Sequence, residues 1–181
     1  MFESSPQAWV RRYIYGEKFT NPAMEFGREI AEGLEKDETD NPAVEHMRTF
    51  LPAYPEKEYE IKVKWKGVPL LGKLDQADPK NLTFNEIKTG TVAWTQRRVD
   101  THGQITFYWL LFWQKHGWPE KAGLSWAPTA LNEDGNPMIT GMIKTFTTIR
   151  TLGDISAMSV RIQKAWDGIQ KVTKKEYAKI S

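Results

Sequence analysis

The sequence contains no cysteine. This absence excludes disulfide bonds, zinc–thiolate sites and cysteine-ligated iron–sulfur clusters, and it fits a protein of the reducing cytoplasm. The first residues, "MFESSPQAWVRRYIYG", also lack the continuous apolar stretch of a secretory signal. We therefore expect a cytoplasmic protein that carries no iron–sulfur cluster.

Long hydrophobic runs are absent as well. The longest apolar run, "ITFYWLLFW", is about half the length that a membrane-spanning helix needs, so we expect no membrane partner. The sequence has no Gly-x-x-x-x-Gly-Lys-Ser/Thr loop, and we expect no nucleotide cofactor. Its three histidines, His46, His102 and His116, do not have the spacing of metal ligands.

The composition is that of a globular domain. The chain has 181 residues, of which 40% are hydrophobic and 27% charged, with a net charge of +2. This length predicts a single domain over residues 1–181, with a core from about residue 5 to 172 and a lysine-rich tail, 173–181, that frays. The small positive charge permits a polyanionic partner without requiring one.

Helices are expected in the first third of the chain. Residues 5–15 can form a short helix. Two Asn-Pro pairs, at Asn21 and Asn41, are typical of helix starts because asparagine caps and proline suits the first turn. They predict one helix after Asn21 and another from Pro42 to about Leu51.

Strand patterns follow. "EYEIKVKW" alternates apolar and charged residues, and tight turns separate it from "VPLLGKLDQAD" and "LTFNEIKTG", which predicts a three-stranded antiparallel meander. A buried helix is expected from about Val99 to His116, then strands in "AGLSWAPTAL" and "MIKTFTTIR", and a last helix over about 155–172. One sheet with helices packed on it accounts for this order.

Three charged residues are concentrated in two of these apolar strands. Glu86 and Lys88 are two apart on a strand and project from the same face, and a turn near residues 79–81 brings Asp75 alongside. Two neighbouring carboxylates repel and lose hydration, and a divalent cation removes both costs. Asp75, Glu86 and the Ile87 carbonyl suit Mg²⁺ or Mn²⁺, and Lys88 could orient a water. A cross-strand ion pair is the simpler alternative for each residue taken alone.

These residues resemble a known signature. "GKLDQAD…FNEIKTG" is similar to the PD-(D/E)xK nuclease motif, in which Gly-x-x-Asp precedes Glu-x-Lys, and Gly72, Asp75, Glu86 and Lys88 match its positions. The resemblance covers roughly residues 5–172. It implies a restriction-endonuclease-like α/β (α+β) domain with a central mixed five-stranded sheet flanked by helices, and Mg²⁺- or Mn²⁺-dependent hydrolysis of DNA in a bacterium or phage-infected cell.

Two further segments resemble RecB-like nucleases and phage exonucleases. Gln104 and Tyr108 have the spacing of their Gln-xxx-Tyr motif, which implies that both orient substrate. "FGREIAEGLE" resembles their opening helix, with Gly27 in place. The position of that family's metal-binding His or Glu, however, falls on Ala31. We expect Glu32 to supply any carboxylate that this helix gives the metal.

Basic residues near the proposed centre suit a nucleic-acid track. Arg97 and Arg98 lie just before the Gln104 segment with Trp94 nearby, a combination typical of backbone contacts and a stacked base; the other candidates are Arg11 and Arg12. The lysines at 62, 64 and 66 are more typical of a solvated edge.

The function expected from the sequence is therefore a DNA nuclease, with exonuclease action preferred and a role in recombination or repair. The alternative is a catalytically weak DNA-binding module that keeps the fold, motivated by Ala31. A non-nucleic-acid protein with a structural ion network is a third possibility. A homo-oligomer or a recombination partner protein remains open.

Overall fold

The helices and strands follow from the capping and alternation signals of the sequence. The structure, a computed structural model, describes residues 5–18 and 20–180, with side chains as far as Lys175. Its elements in chain order are α1 (Pro6–Tyr13), α2 (Pro22–Glu35), α3 (Pro42–Phe50), β1 (Glu56–Trp65), β2 (Val68–Asp78), β3 (Thr83–Gly90), α4 (Gln96–Asp100), α5 (Gly103–His116), β4 (Lys121–Leu131), β5 (Pro137–Ile139), β6 (Lys144–Thr148) and α6 (Leu152–Ile180).

Both Asn-Pro helix starts are confirmed. Asn21 Oδ1 accepts a hydrogen bond of 2.9 Å from the Met24 N–H. Asn41 Oδ1 accepts from the N–H groups of Ala43 and Val44. These bonds satisfy N–H groups that have no partner inside the helix, so α2 and α3 begin where the sequence places them.

The sheet is mixed, as expected. β1, β2 and β3 form the predicted antiparallel meander. The chain then crosses over through α4 and α5, and β4 pairs parallel to β3, an arrangement that needs such a crossover connection. β6 pairs antiparallel with β4. The short strand β5, which the sequence reasoning missed, also pairs with β4, where a three-residue strand gives too little alternation to detect.

Two predicted helix boundaries are wrong. The segment that was expected to be one helix from Val99 to His116 is two helices, because the chain turns at Thr101 and His102. The buried Arg150 guanidinium donates to the carbonyls of Val99 and His102 at this turn, in addition to the backbone N–H groups that these carbonyls accept from. The last helix continues past residue 172, so residues 173–180 of the predicted tail are helical; Ser181 lies outside the described residues.

The core lies on both faces of the sheet. The main cluster packs α5 against one face and contains Phe84, Trp109 and Phe112, together with most of the tryptophans. A smaller cluster packs α2 and α3 against the other face, around Ile30 and Met47. Most tryptophans therefore stabilise the core instead of facing a ligand. Within the described residues, no helix combines the length and apolar composition that crossing a membrane requires.

Candidate active site

The three charged residues singled out from the sequence do converge. Asp75 on β2 accepts a hydrogen bond of 2.6 Å from the backbone N–H of Ile87 on β3. Glu86 and Lys88 project from one face of β3, and Lys88 Nζ donates to Glu86 Oε1. Asp75, Glu86 and Lys88 therefore lie side by side as expected, and a hydrogen bond holds the Asp75 carboxylate against β3.

A local distortion of the strands accompanies this convergence. Bridge pairs between β1 and β2 run through Lys57–Gln76 and resume at Tyr59–Leu74, which places Glu58 opposite Asp75. Glu58 has φ of 48°, a left-handed conformation that is rare for glutamate within a strand. Leu74 and Ala77 both belong to the main core although they are three residues apart. In a regular strand, side chains three residues apart point to opposite faces of the sheet. The alternation of side chains along β2 is therefore displaced by one residue beside Asp75.

Two glycines of the quoted motifs permit close packing around the centre. A Cβ atom at Gly72 would collide with Leu111 and lie 3.0 Å from Tyr108 Cε1, both on α5. A Cβ atom at Gly27 on α2 would lie 3.1 Å from Thr89 Oγ1 on β3. Glycine at these positions lets α5 and α2 approach the strands that carry Asp75, Glu86 and Lys88.

The carboxylates open into a cavity of about 770 Å³. Its walls are α2, the segment 51–54 after α3, the start of β1 at Lys57 and Glu58, and the ends of β2 and β3, with Gln104 of α5 at one side. Its charged lining residues are five acidic ones, Glu35, Asp37, Glu58, Asp75 and Glu86, and three basic ones, Arg48, Lys57 and Lys88. The cavity is within the size range of small-molecule sites, and acidic groups outnumber basic groups in it.

Burial perturbs both central carboxylates. Glu86 is 2% exposed, and burial first, then the Asp75 charge, raises the pKa of Glu86 to about 8. Burial also raises the pKa of Asp75 to about 6, although the Ile87 N–H and Lys88 act in the opposite direction. The charge of Glu58 is a further cause that raises both pKa values. Such shifts are concentrated at functional sites.

The donors present fit a divalent cation. Glu86 Oε2 is buried and has no hydrogen-bond partner, and a buried unpaired carboxylate oxygen is costly without a ligand. Asp75 and Glu86 are hard oxygen donors of the kind that Mg²⁺ and Mn²⁺ prefer. Within the described part of the chain, no three acidic or histidine side chains already stand together at metal-ligand spacing. A third protein carboxylate would therefore have to move to join these two.

Gln104 and Tyr108 occupy one face of α5, as their spacing predicts. Gln104 lines the cavity, and its Nε2 donates to the Tyr108 hydroxyl at 3.0 Å. Burial raises the pKa of Tyr108, with the Glu86 charge as a second cause. Tyr108 is therefore a neutral hydroxyl that Gln104 holds beside the carboxylates.

The structure does not bring Glu32 to the cavity. Its side chain is 51% exposed and forms ion pairs with Arg28 and Lys36 on its own helix, whereas Ala31, the neighbouring position, lines the cavity. Sequence reasoning missed Glu58, which does line it. The residue was placed on the charged side of an alternating strand, and a positive φ gives no signal in an alternation pattern.

The predicted DNA-contacting residues are only partly arranged as expected. Trp94 is buried, its ring is nearly perpendicular to that of His102, and the Arg98 guanidinium lies 4.0 Å from its ring centroid. Little of the Trp94 ring is therefore open to a base in this structure, and its contact with DNA stays a prediction. Arg97 is exposed on α4. Arg11 pairs with Glu17, and Arg12 lies over Tyr13; neither lines the cavity.

Comparison with known proteins bears on the fold. No protein-family model matches the chain, and no curated protein matches its sequence. Among solved structures, the chain is similar to a phage-related exonuclease from Haemophilus somnus 129PT, with a TM-score of 0.64 and 13% identity over 96% of this chain and 83% of that one. It also matches a "Putative exonuclease" from Eubacterium rectale with a TM-score of 0.45 and 14% identity over 97% of this chain and 64% of that one, a likeness too weak to carry an argument. The first match shows that this chain shares the fold of a phage-related exonuclease.

Proposed function

We propose that this chain is a Mg²⁺- or Mn²⁺-dependent deoxyribonuclease of the PD-(D/E)xK, RecB-like type, which hydrolyses DNA phosphodiesters as an exonuclease. The observation that carries the proposal is the carboxylate pair of half-buried Asp75 and buried Glu86, with Lys88 bound to Glu86, on the wall of a cavity large enough for a ligand. The shared fold with a phage-related exonuclease supports it as an analogy of fold.

The charges of the cavity support a metal-dependent reaction. Five acidic and three basic residues line it. Even with Glu86 protonated the acidic groups outnumber the basic ones by one, so the metal-free cavity offers a phosphodiester no net attraction. A divalent cation held by carboxylates reverses the local charge, and electrostatic arguments at phosphate sites must include that charge.

Each residue then has a defined task. Asp75, Glu86 and the Ile87 carbonyl would hold Mg²⁺ or Mn²⁺, which when bound supplies Lewis acidity and lowers the pKa of water. Lys88 lies at Glu86 Oε1, where its ammonium can position the attacking water and balance the charge that develops on the phosphate. Gln104 and Tyr108 lie beside them and orient the substrate strand.

The test is a time course on end-labelled linear DNA and on closed circular DNA, in Mg²⁺, Mn²⁺ or EDTA. We expect metal-dependent loss of the linear substrate while the circle persists. Glu86→Gln should lower the rate by about a hundredfold or more, while Glu32→Gln, an equal change of charge at an exposed site, should leave it unchanged. Cleavage that persists in EDTA, or equal rates for both variants, would contradict the assignment.

A catalytically weak DNA-binding module is the second candidate, and one observation favours it. Ala31, an apolar residue, lines the cavity at the position where the resembling family carries a metal ligand. A gel shift in EDTA separates the two: a complex with DNA but no cleavage in either metal would establish the binding module. If the chain neither binds nor cleaves DNA, the remaining alternative is a non-nucleic-acid protein in which these charged residues form a structural ion network.

A further inference from the structure

We propose that Glu58 supplies the third carboxylate of the divalent-cation site, in place of the helix residue that Ala31 has replaced. The inference rests on the proposed metal-dependent function. It assigns to β1 a ligand that the sequence led us to expect on α2.

The backbone at Glu58 is the first observation. Its φ of 48° lies in the left-handed region, which costs of the order of 1–3 kcal/mol for a residue other than glycine. Strand residues on both sides, Lys57 and Tyr59, keep regular pairs with β2. A strained conformation confined to one residue persists where the surroundings require it, and such outliers cluster at functional sites.

The placement of the side chain is the second observation. Glu58 lies opposite Asp75 in the register and lines the same cavity as Asp75 and Glu86. Its side chain is 19% exposed, against 51% for Glu32 and 47% for Glu35. Among these three glutamates, Glu58 is therefore the one with most of its surface already removed from water.

The third observation is the unsatisfied carboxylate of Glu86 in the wall of the same cavity. Glu86 Oε2 is buried without a partner, which points to a ligand independently of the backbone at Glu58. Two carboxylates and one carbonyl give a divalent cation few protein ligands, and a third carboxylate raises its affinity by adding charge and an oxygen donor.

Lys73 explains how the site is held without metal. Its Nζ lies 2.5 Å from Glu58 Oε2 and 3.9 Å from Glu35 Oε1, and it is half exposed. This ion pair balances the Glu58 charge beside half-buried Asp75 and buried Glu86. Because the Lys73 side chain is half exposed to solvent, the ion pair contributes little net free energy. Glu58 can therefore exchange Lys73 for a cation at small cost.

The experiment is calorimetric titration with Mn²⁺ in the absence of DNA, on wild type, Glu58→Gln, Glu35→Gln, Lys73→Met and Asp75→Ala. We expect Glu58→Gln to weaken Mn²⁺ binding by about tenfold or more, a typical cost for groups that support a metal site. Glu35→Gln should change it less than twofold. Lys73→Met should leave binding unchanged or tighter, because it frees Glu58.

Thermal melting without metal separates a ligand from a structural ion pair. If Glu58 is a ligand, Glu58→Gln should melt no lower than wild type, because it removes a negative charge beside Asp75 and Glu86, while its stabilisation by Mn²⁺ shrinks. If Glu58 serves only to pair with Lys73, both Glu58→Gln and Lys73→Met should melt lower and bind Mn²⁺ as wild type does, which would overturn the inference.

The same titrations distinguish a wrong role for Glu58 from a wrong metal site. Mn²⁺ binding that Asp75→Ala abolishes and Glu58→Gln leaves intact would overturn the role of Glu58 and leave the metal site standing. Absence of Mn²⁺ binding to wild type would overturn both. Should Glu58→Gln fold poorly, Glu58→Asp, which keeps the charge and shortens the side chain, must also bind Mn²⁺ more weakly.

Discussion

The backbone N–H of Ile87 donates a hydrogen bond of 2.6 Å to Asp75 Oδ2. This bond fixes the β2 carboxylate to the strand that carries Glu86 and Lys88, one residue from each of them. The acidic pair and the lysine are therefore held by the sheet and not by a loop, which suits a site that needs fixed geometry.

The Asp75 bond gives the first prediction. Asp75→Asn keeps an oxygen that can accept from Ile87 and removes the charge, whereas Asp75→Ala removes both. We expect both variants to lose Mn²⁺ binding in calorimetry. Only Asp75→Ala should lose stability, by about 1–3 kcal/mol, since it leaves the Ile87 N–H without a partner. Heats equal to wild type in either variant would refute Asp75 as a ligand.

Lys88 is the second test. Lys88→Met keeps much of the side-chain stem and removes the charge, so cleavage should fall by about a hundredfold or more through kcat. DNA affinity in Ca²⁺ and the melting temperature at pH 7 should stay near wild type, because burial raises the pKa of Glu86 to about 8. Without metal, this carboxyl therefore already carries a proton at pH 7, and the loss of Lys88 leaves no buried charge unpaired.

Lys64→Met, at an exposed position of β1, is the control for Lys88. A Lys88 variant that melts much earlier than this control yet cleaves normally when folded would reduce Lys88 to a structural ion pair.

The third prediction concerns pH. The pKa of Glu86 is about 8 in the folded protein against an ordinary 4.5, so between these values the folded state binds more protons than the unfolded state. Stability contributed by this group is then fully present below about pH 4.5 and declines as the pH rises toward 8. A pKa that is higher by one in the folded state corresponds to about 1.4 kcal/mol, and a loss of that size alone lowers the melting temperature by about 3–6 °C.

The measurement is the melting temperature of the metal-free protein between pH 5 and pH 9. Glu86→Gln should flatten the decline, and Mn²⁺ should reduce it in the wild type, because the cation stabilises the charged carboxylate. If the melting temperature of the wild type changes with pH in the same way as that of Glu86→Gln, Glu86 is ionised throughout this pH range and the prediction is wrong.

Arg150 carries the fourth prediction. It is buried, and its guanidinium donates to five oxygens. Three belong to Val99, His102 and Thr106 around the α4–α5 junction, and two belong to Thr148 and Ile149 at the end of β6. Arg150→Met should lower the free energy of unfolding by about 3 kcal/mol or more, because it removes all five hydrogen bonds, including those that the buried hydroxyls of Thr106 and Thr148 accept.

Chemical denaturation of Arg150→Met and of Arg97→Met, an exposed arginine of α4, provides the comparison. Arg97→Met should stay within about 0.5 kcal/mol of wild type. If Arg150→Met lowers the free energy of unfolding by no more than Arg97→Met does, the α4–α5 junction does not depend on the Arg150 guanidinium.

The sequence by itself determined the parts of this protein that local chemistry controls. Asn21 and Asn41 started two helices because a capping side chain acts within three residues. The alternation from Tyr59 to Trp65 specified β1, and the spacing of Glu86 and Lys88 placed both on one face of β3 with Asp75 beside them.

Only the tertiary structure decided what depends on distant partners. Arg150, far along the chain, divides the helix expected from Val99 to His116, and the burial of Trp94 under Arg98 removes it from the surface. Glu58 lines the cavity because β1 is distorted at this residue, and Glu32 is exposed because α2 is rotated so that Ala31 lines the cavity. Packing across the sheet sets both the distortion and the rotation. Such long-range contacts leave no periodic trace in the sequence, so the Asp75–Glu86–Lys88 centre was predictable while the residues that complete it were not.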